Sequence, residues 1–393
     1  MFSVGTNFDS KLIDSLKEYS IYEIYGKLPV DPIGGGIPSV LIKPITIKEL
    51  AKEIDHAHEH DFKFNYLLNS TCLGNIEYSR KGIKKIIGFL DLLTKLKVDT
   101  LTIAIPFLAE FVKENYPHFK IDVSSLAGVN TVKRFKYWQD LGADTITLDL
   151  SANRNFSLIK NIINSNFKCD LKIMLNHGCE LDCINYNYHS NLVSHQTSRK
   201  KQFPLEYCSV CACKLNKMKN LSALIRSPWI RPEDIKIYKN LGVKKFKIVQ
   251  RKDPTDRIIR CVQAYQQEKY DGNLLDIMNF ALNNHTKNMS LKKLIWISTF
   301  FIKPYLYNIT KLLKNLKLFD IDFDLFVDNS KLDGFIDYFF NHDCQNTTCF
   351  ACGYCDEIAN KVISYNMQKR GQAIKNYETL QRLFLGKKTS LFL

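Results

Sequence analysis

Short apolar runs alternate with amphipathic stretches of helical period from residue 21 to about 270, and the runs number eight. They are "IYEIYG" (21–26), then 62–68, 99–105, 119–125, 144–150, 169–176, 221–227 and 244–250. Each reads as a strand, and each is followed by a helix or an insertion. Parallel neighbours need long crossovers, and a helix is the usual one. Eight such units point to a closed (β/α)8 barrel of TIM type. Periodicity cannot show closure, so a doubly wound open sheet is the alternative.

Helix boundaries fit the same scheme. Thr46 and Glu49 form a capping box, and Ile47, Leu50, Ala51, Ile54 and Ala57 follow at helical spacing. Asn130 is placed to cap a helix with Val132, Phe135, Trp138 and Leu141 on one face, and Gly142 to stop it. Pro232 suits the first turn of a helix ending at Gly242, and 255–270 gives the last helix. The rhythm then changes. Residues 288–317 read as helical, 318–343 as mixed and 355–385 as one helix or two. The expected organisation is therefore a barrel over 1–270 and a helical extension over 271–393.

Apolar residues are 45% of the chain, enough for an ordinary core. The first twenty residues lack the basic and apolar regions of a signal peptide. The most apolar run, "LIWISTFFI" (294–302), is far short of the ~20 residues of a membrane span. A cytoplasmic protein with no membrane span is expected. The net charge of +15 would draw phosphates, RNA or another polyanion, but the lysines are scattered and also fit a solvated surface.

The twelve cysteines are not scattered. Cys169, Cys179, Cys183, Cys208, Cys211 and Cys213 form one group, and Cys344, Cys349, Cys352 and Cys355 another; only Cys72 and Cys261 stand apart. In a reducing compartment clustered thiols read as metal ligands. The first group follows the strand 169–176, and in a barrel the C-terminal strand ends carry the chemistry. Its spacings fit neither the paired pattern of structural zinc nor a single iron–sulfur rule, and Cys211 and Cys213 compete for one role. In the second group Cys349, Cys352 and Cys355 have the x2, x2 gaps of a ferredoxin run, with Cys344 as a fourth ligand placed before it; a zinc knuckle is the alternative.

Three stretches resemble one family. "VSSLAGVNTVKRFKYWQDLGADTITLDLSANRNFSLI" (123–159), "NHGC" (176–179) and "KKFKIVQRKDPTDRIIRCVQAY" (244–265) are similar, in order, to motifs of the peptidase U32 family, which includes iron–sulfur hydroxylases of ubiquinone, tRNA and rRNA maturation. The resemblance runs through most of 20–275. It implies a barrel-like fold and a [4Fe–4S] cluster on Cys179, Cys183, Cys208 and either Cys211 or Cys213. It also implies an O2-independent hydroxylation or related redox modification, with a prephenate-like anionic donor and a quinone precursor, RNA or peptide as acceptor. Val249 and Gln250 replace the Glu and Gly of the closing motif, while Lys247 and Arg251 match it, and no carboxylate precedes the His-Gly pair. A non-catalytic scaffold or electron-transfer protein working with a partner protein is the second reading.

Other residues carry weaker signals. His177, beside Cys179, could bind substrate or anchor its loop. Arg226, Lys247 and Arg251 are candidates for an anionic ligand, because a guanidinium fork suits carboxylates, or for structural ion pairs. His56 and His60 can share a helix face but show no third ligand. The glycine-rich loop 32–39 lacks a phosphate-binding motif. No Ser-His-Asp, Cys-His or H-E-x-x-H pattern supports proteolysis.

Overall fold

A computed structural model of the chain describes residues 1–198, 206–280, 307–319, 321–342 and 344–393, with positions 282, 295, 298 and 299. Eight parallel strands close into a barrel in sequence order: β1 (Phe2–Gly5), β2 (Ile21–Gly26), β3 (Lys63–Leu68), β4 (Thr100–Ile103), β5 (Lys120–Val123), β6 (Thr145–Thr147), β7 (Asp170–Met174) and β8 (Lys245–Ile248). β1 closes it, pairing Val4 with Ile24 of β2 and with Ile248 of β8.

The count of eight holds, but its members differ from those expected. The four residues of β1 lie before the first expected strand. The expected strand at 221–227 is a short helix, Ser222–Arg226, with Ala223, Leu224 and Ile225 buried. A run apolar all round carries no period, so tertiary packing decides its form. The Thr46–Glu49 capping box is present. The helix expected to start at Asn130 is capped instead by Thr131, whose side chain accepts from Arg134 N–H. Gly142 follows that helix at φ +90°, open to glycine at little cost.

The barrel interior carries an ionic layer among its apolar ones. Lys172 reaches Asp122 at 2.8 Å and Glu23 at 3.1 Å, with all three side chains buried. Asn65, Thr102 and Thr147 donate to the remaining lone pairs of this Asp122 network. Removing one partner of such a buried pair costs ~3–5 kcal/mol.

The chain does not leave the barrel at residue 270. Arg257, on the helix Thr255–Gln267, donates to the carbonyls of Leu275, Asp276 and Met278, and Asn279 bridges in parallel to His177. The extension then packs back on the barrel. Phe335 stacks on Trp229 with ring centroids 5.5 Å apart and on Tyr354 at 5.8 Å. Residues 355–385 fall into two helices, Tyr354–Val362 and Met367–Leu385, separated by Ile363–Ser364, which pairs antiparallel with Phe326–Val327. Of the expected helical stretch 288–317, Ile309–Lys314 is a helix, while most of it, including most of 294–302, lies outside the described residues. No helix among the described residues is long and apolar enough to cross a membrane.

Candidate metal centre

Cys169 precedes β7 at the other end of the strand, where its Sγ approaches Gln139 Oε1 at 3.7 Å; the rest of the first group, Cys179–Cys213, lies on the long crossover from β7 to β8, past the C-terminal end of β7. Asn176 fixes its start: Oδ1 accepts from Val249 N–H at 2.7 Å, and Nδ2 donates to Ile277 O at 3.0 Å. His177 Nδ1 accepts from Cys179 N–H at 3.1 Å. That nitrogen is therefore unprotonated, and enclosure, with Lys217 and Lys252 nearby, lowers the imidazole to about 4. This contact favours the loop-anchoring reading of His177. Gly178 lies against the ring of Phe280 with no room for a Cβ, and buried Lys217 donates to its carbonyl.

The chain comes back through one turn of π-helix, Cys208–Ala212, followed by the helix Cys213–Lys219. Cys213 N–H bonds to Cys208 O, an i→i+5 step that sets these two residues on one face. Cys211 turns the other way, fully buried in the hydrophobic core. Electrostatics separate the thiols in the same way. Burial raises Cys179 to about 12, and Cys213 and Cys183 push it further in the same direction. Burial also raises Cys183, with Cys213 adding, and Cys208, with Glu206 and Cys183 adding. Cys211 is raised to about 12 by burial and has only Lys214 as a charged neighbour. Electrostatic influence thus links Cys179, Cys183, Cys208 and Cys213, whereas Cys211 lies apart in the hydrophobic core.

The donor set is wholly thiol, which suits zinc or iron–sulfur chemistry. One tetrahedral zinc needs its sulfurs ~3.8 Å apart, as follows from Zn–S bonds of ~2.3 Å. Among the described residues no three thiol sulfurs come within 4.8 Å of one another. A cubane binds one thiolate at each iron corner and so holds them farther apart.

Cationic side chains gather beneath. Lys247 of β8 is buried, 4.3 Å over the Tyr25 ring, and burial lowers it to about 8. Arg251, just past β8, packs on Gly5 and Tyr25. Loss of solvent lowers it to about 10, with Tyr25 and Tyr66 opposing. Part of its side chain reaches water, but Nη1 is sealed off and has no hydrogen-bond partner among the described residues. Neither Asp253 nor Asp256 is its ion-pair partner; Asp253 pairs with Arg257 at 3.3 Å. Lys27, which the sequence reading passed over although it directly follows β2, pairs with Asp31 at 2.8 Å in the same region. A cavity of about 700 Å³ opens at the ends of β4–β6, with Cys183, Asp149, Glu180, Asp182, Arg134 and Tyr186 in its wall.

Arg226 is elsewhere. It ends a helix, not a strand, and grips Asp356 through two contacts of 2.8 and 2.6 Å. It lines a cavity with Cys344, Cys349 and Cys355 and not the barrel mouth. His56 and His60 do have a third partner that sequence spacing could not reveal. Asp14, on the helix Ser10–Leu16, lies 2.8 and 3.2 Å from them, a surface triad held well below the usual carboxylate range by those contacts. The glycine-rich loop binds protein: Gly35 N–H donates to Thr197 Oγ1 and Gly36 N–H to Asn69 Oδ1.

Residues 41–274 match Peptidase family U32. The chain belongs to this family. The U32 match spans the first cysteine group and ends before the second. An uncharacterized protease of Methanocaldococcus jannaschii is 30% identical over 353 residues, which cover 90% of this chain and 92% of that one. A solved U32 peptidase aligns over 63% of this chain and 92% of its own, with 21% identity and a TM-score of 0.48.

Proposed function

We propose that this U32 protein is an iron–sulfur enzyme that carries out an O2-independent hydroxylation or related redox modification. The observation that carries the reading is the all-thiol set Cys179, Cys183, Cys208 and Cys213, on the crossover that leaves the C-terminal end of β7 in a U32 barrel. When bound there, a [4Fe–4S] cluster supplies one-electron chemistry. The protein's own residues do the rest. Arg251 offers the part of its guanidinium side chain that reaches water, and Lys247 adds a second cation close enough to act on it electrostatically. Together they suit a carboxylate donor of prephenate type. The cavity beside Cys183 offers acids, Arg134 and tyrosines to the acceptor: a quinone precursor, an RNA or a peptide.

A peptidase, the name its relatives carry, needs an activated nucleophile. A cysteine nucleophile works through a depressed thiol pKa, whereas burial raises Cys179, Cys183 and Cys208. The test is anaerobic isolation followed by titration with prephenate. The protein should be brown, contain acid-labile sulfide and show a visible spectrum perturbed by prephenate in wild type but not in Arg251→Met. A colourless protein that cleaves casein would contradict the reading.

A further inference from the structure

Cys344, Cys349, Cys352 and Cys355 lie beyond residues 41–274. The local fold gathers them. Thr348 caps the turn Cys349–Cys352 by accepting from Ala351 N–H, and Gly353, at φ +67°, reverses the chain into the helix Tyr354–Val362. All four cysteines, with Tyr338 and Arg226, then line one small cavity. The Tyr338 hydroxyl is 3.1 Å from Cys352 Sγ. The x2, x2 gaps of Cys349, Cys352 and Cys355, with Cys344 on the same small cavity, suit an iron–sulfur cluster.

A second observation asks for negative charge here. Arg154 is buried, donating to the carbonyls of Ile225, Ser227 and Trp229 at 2.7–3.0 Å, and its guanidinium lies 4.8 Å over Trp229. It has no carboxylate within ion-pair distance among the described residues, and its Nε has no hydrogen-bond partner. Arg154 lines the same cavity as Cys344, Cys349 and Cys355. A buried cation without a carboxylate is costly. Metal-bound thiolates would supply its counter-charge.

The two cysteine groups flank one wall. Leu181, between Cys179 and Cys183, lines a cavity of about 350 Å³ together with Arg226, Cys344, Cys349 and Cys355. The second group also meets solvent: Cys349 is exposed, and the Phe350 side chain is 99% exposed.

We propose that Cys344, Cys349, Cys352 and Cys355 hold a second iron–sulfur cluster, which is the electron port for the first. A reduced one-electron carrier gives up one electron at the exposed Cys349–Phe350 edge. The second cluster gains that electron and passes it to the barrel cluster. No bond forms or breaks. The destination of the electron rests on the function proposed above; the existence of the second cluster does not.

The test compares full-length wild type, Cys349→Ser/Cys352→Ser and Cys179→Ser/Cys213→Ser, all isolated anaerobically. Iron, sulfide and zinc are counted per chain, and electron paramagnetic resonance is recorded after dithionite reduction. Each variant should keep roughly half the iron and sulfide, and wild type should show broadening from two coupled spins that neither variant shows. Iron unchanged in Cys349→Ser/Cys352→Ser, or zinc lost from it instead, overturns the second cluster. A wild-type spectrum equal to the sum of the two variants overturns the relay. If Cys349→Ser/Cys352→Ser does not fold, the reciprocal variant decides, because any iron it retains must sit in the second group; a folded, iron-free protein overturns the proposal. Full iron in Cys179→Ser/Cys213→Ser would instead sink the barrel cluster and leave this one standing.

Discussion

On the proposed function, Arg251 combines a binding role with a stability cost. Its sealed Nη1 lacks a partner, so the side chain carries an unmet hydrogen bond in the free protein. Arg251→Met should therefore melt no lower than wild type while binding prephenate at least tenfold more weakly, as befits the loss of a charge-assisted bond worth ~1.5–3 kcal/mol. Arg251→Lys should restore part of the affinity, since an ammonium lacks the planar fork. A melting curve beside a binding isotherm separates this from a structural role, in which stability falls and binding stays. Lys247 adds a pH dependence. Its folded pKa, about 8, lies below that of an unfolded lysine, ~10.4. Between those values the unfolded chain holds the extra proton, so stability rises with pH across that window. Lys247→Met should flatten the rise, leaving the part due to Lys214, also lowered to about 8. Only protonated Lys247 attracts the donor, so affinity should fall as pH climbs through about 8, with proton uptake on binding measurable by calorimetry in two buffers. Sequence alone placed Lys247 and Arg251 at a strand end but could not separate Cys211 from Cys213. That distinction comes from a single π-turn, and a one-residue change in helical phase leaves no mark in a spacing of x2 and x1.

Among the elements, β1 tests closure of the barrel. At Gly5 a Cβ would stand 2.9 Å from Arg251 Cβ and from the Tyr25 ring, neither of which can retreat easily. Gly5→Ala should cost ~1–3 kcal/mol, the usual range for overpacking, and should loosen Arg251 as well. Urea unfolding checks the first effect and prephenate affinity the second; an unchanged midpoint would show that the β1–β8 seam is slack. The alternation of strands and helices was legible because the barrel helices carry one apolar face each, as Leu50, Ile54 and Ala57 do. β1 was not legible, being only four residues long and buried throughout. The segment 221–227 was misread for the opposite reason: its apolar run fits a strand and a buried helix equally, and packing beneath the extension selects the helix. The two errors offset each other in the count, so the fold was reached with one strand too few at the start and one too many near the end.

At the scale of the whole molecule, the extension packs against the barrel, and the family match ends at residue 274. Trp229, 1% exposed, joins them: its indole donates to Leu224 O at 2.7 Å and stacks on Phe335. Trp229→Ala should cost ~3–5 kcal/mol, as large-to-small core changes do, and should speed proteolysis of the extension more than of the barrel. Equal cleavage rates across both parts would show that they unfold as one unit. That contact pairs residues more than a hundred positions apart, so no sequence period announces it. Cys179, Cys183, Cys208 and Cys213 are the feature on which the proposed function turns. It is tested most directly by counting iron and acid-labile sulfide in anaerobically isolated Cys213→Ser and Cys211→Ser. The predicted result is loss of the barrel cluster's share of iron and sulfide in Cys213→Ser and full retention in Cys211→Ser. Retention in Cys213→Ser with loss in a folded Cys211→Ser, or stoichiometric zinc in both, would contradict it.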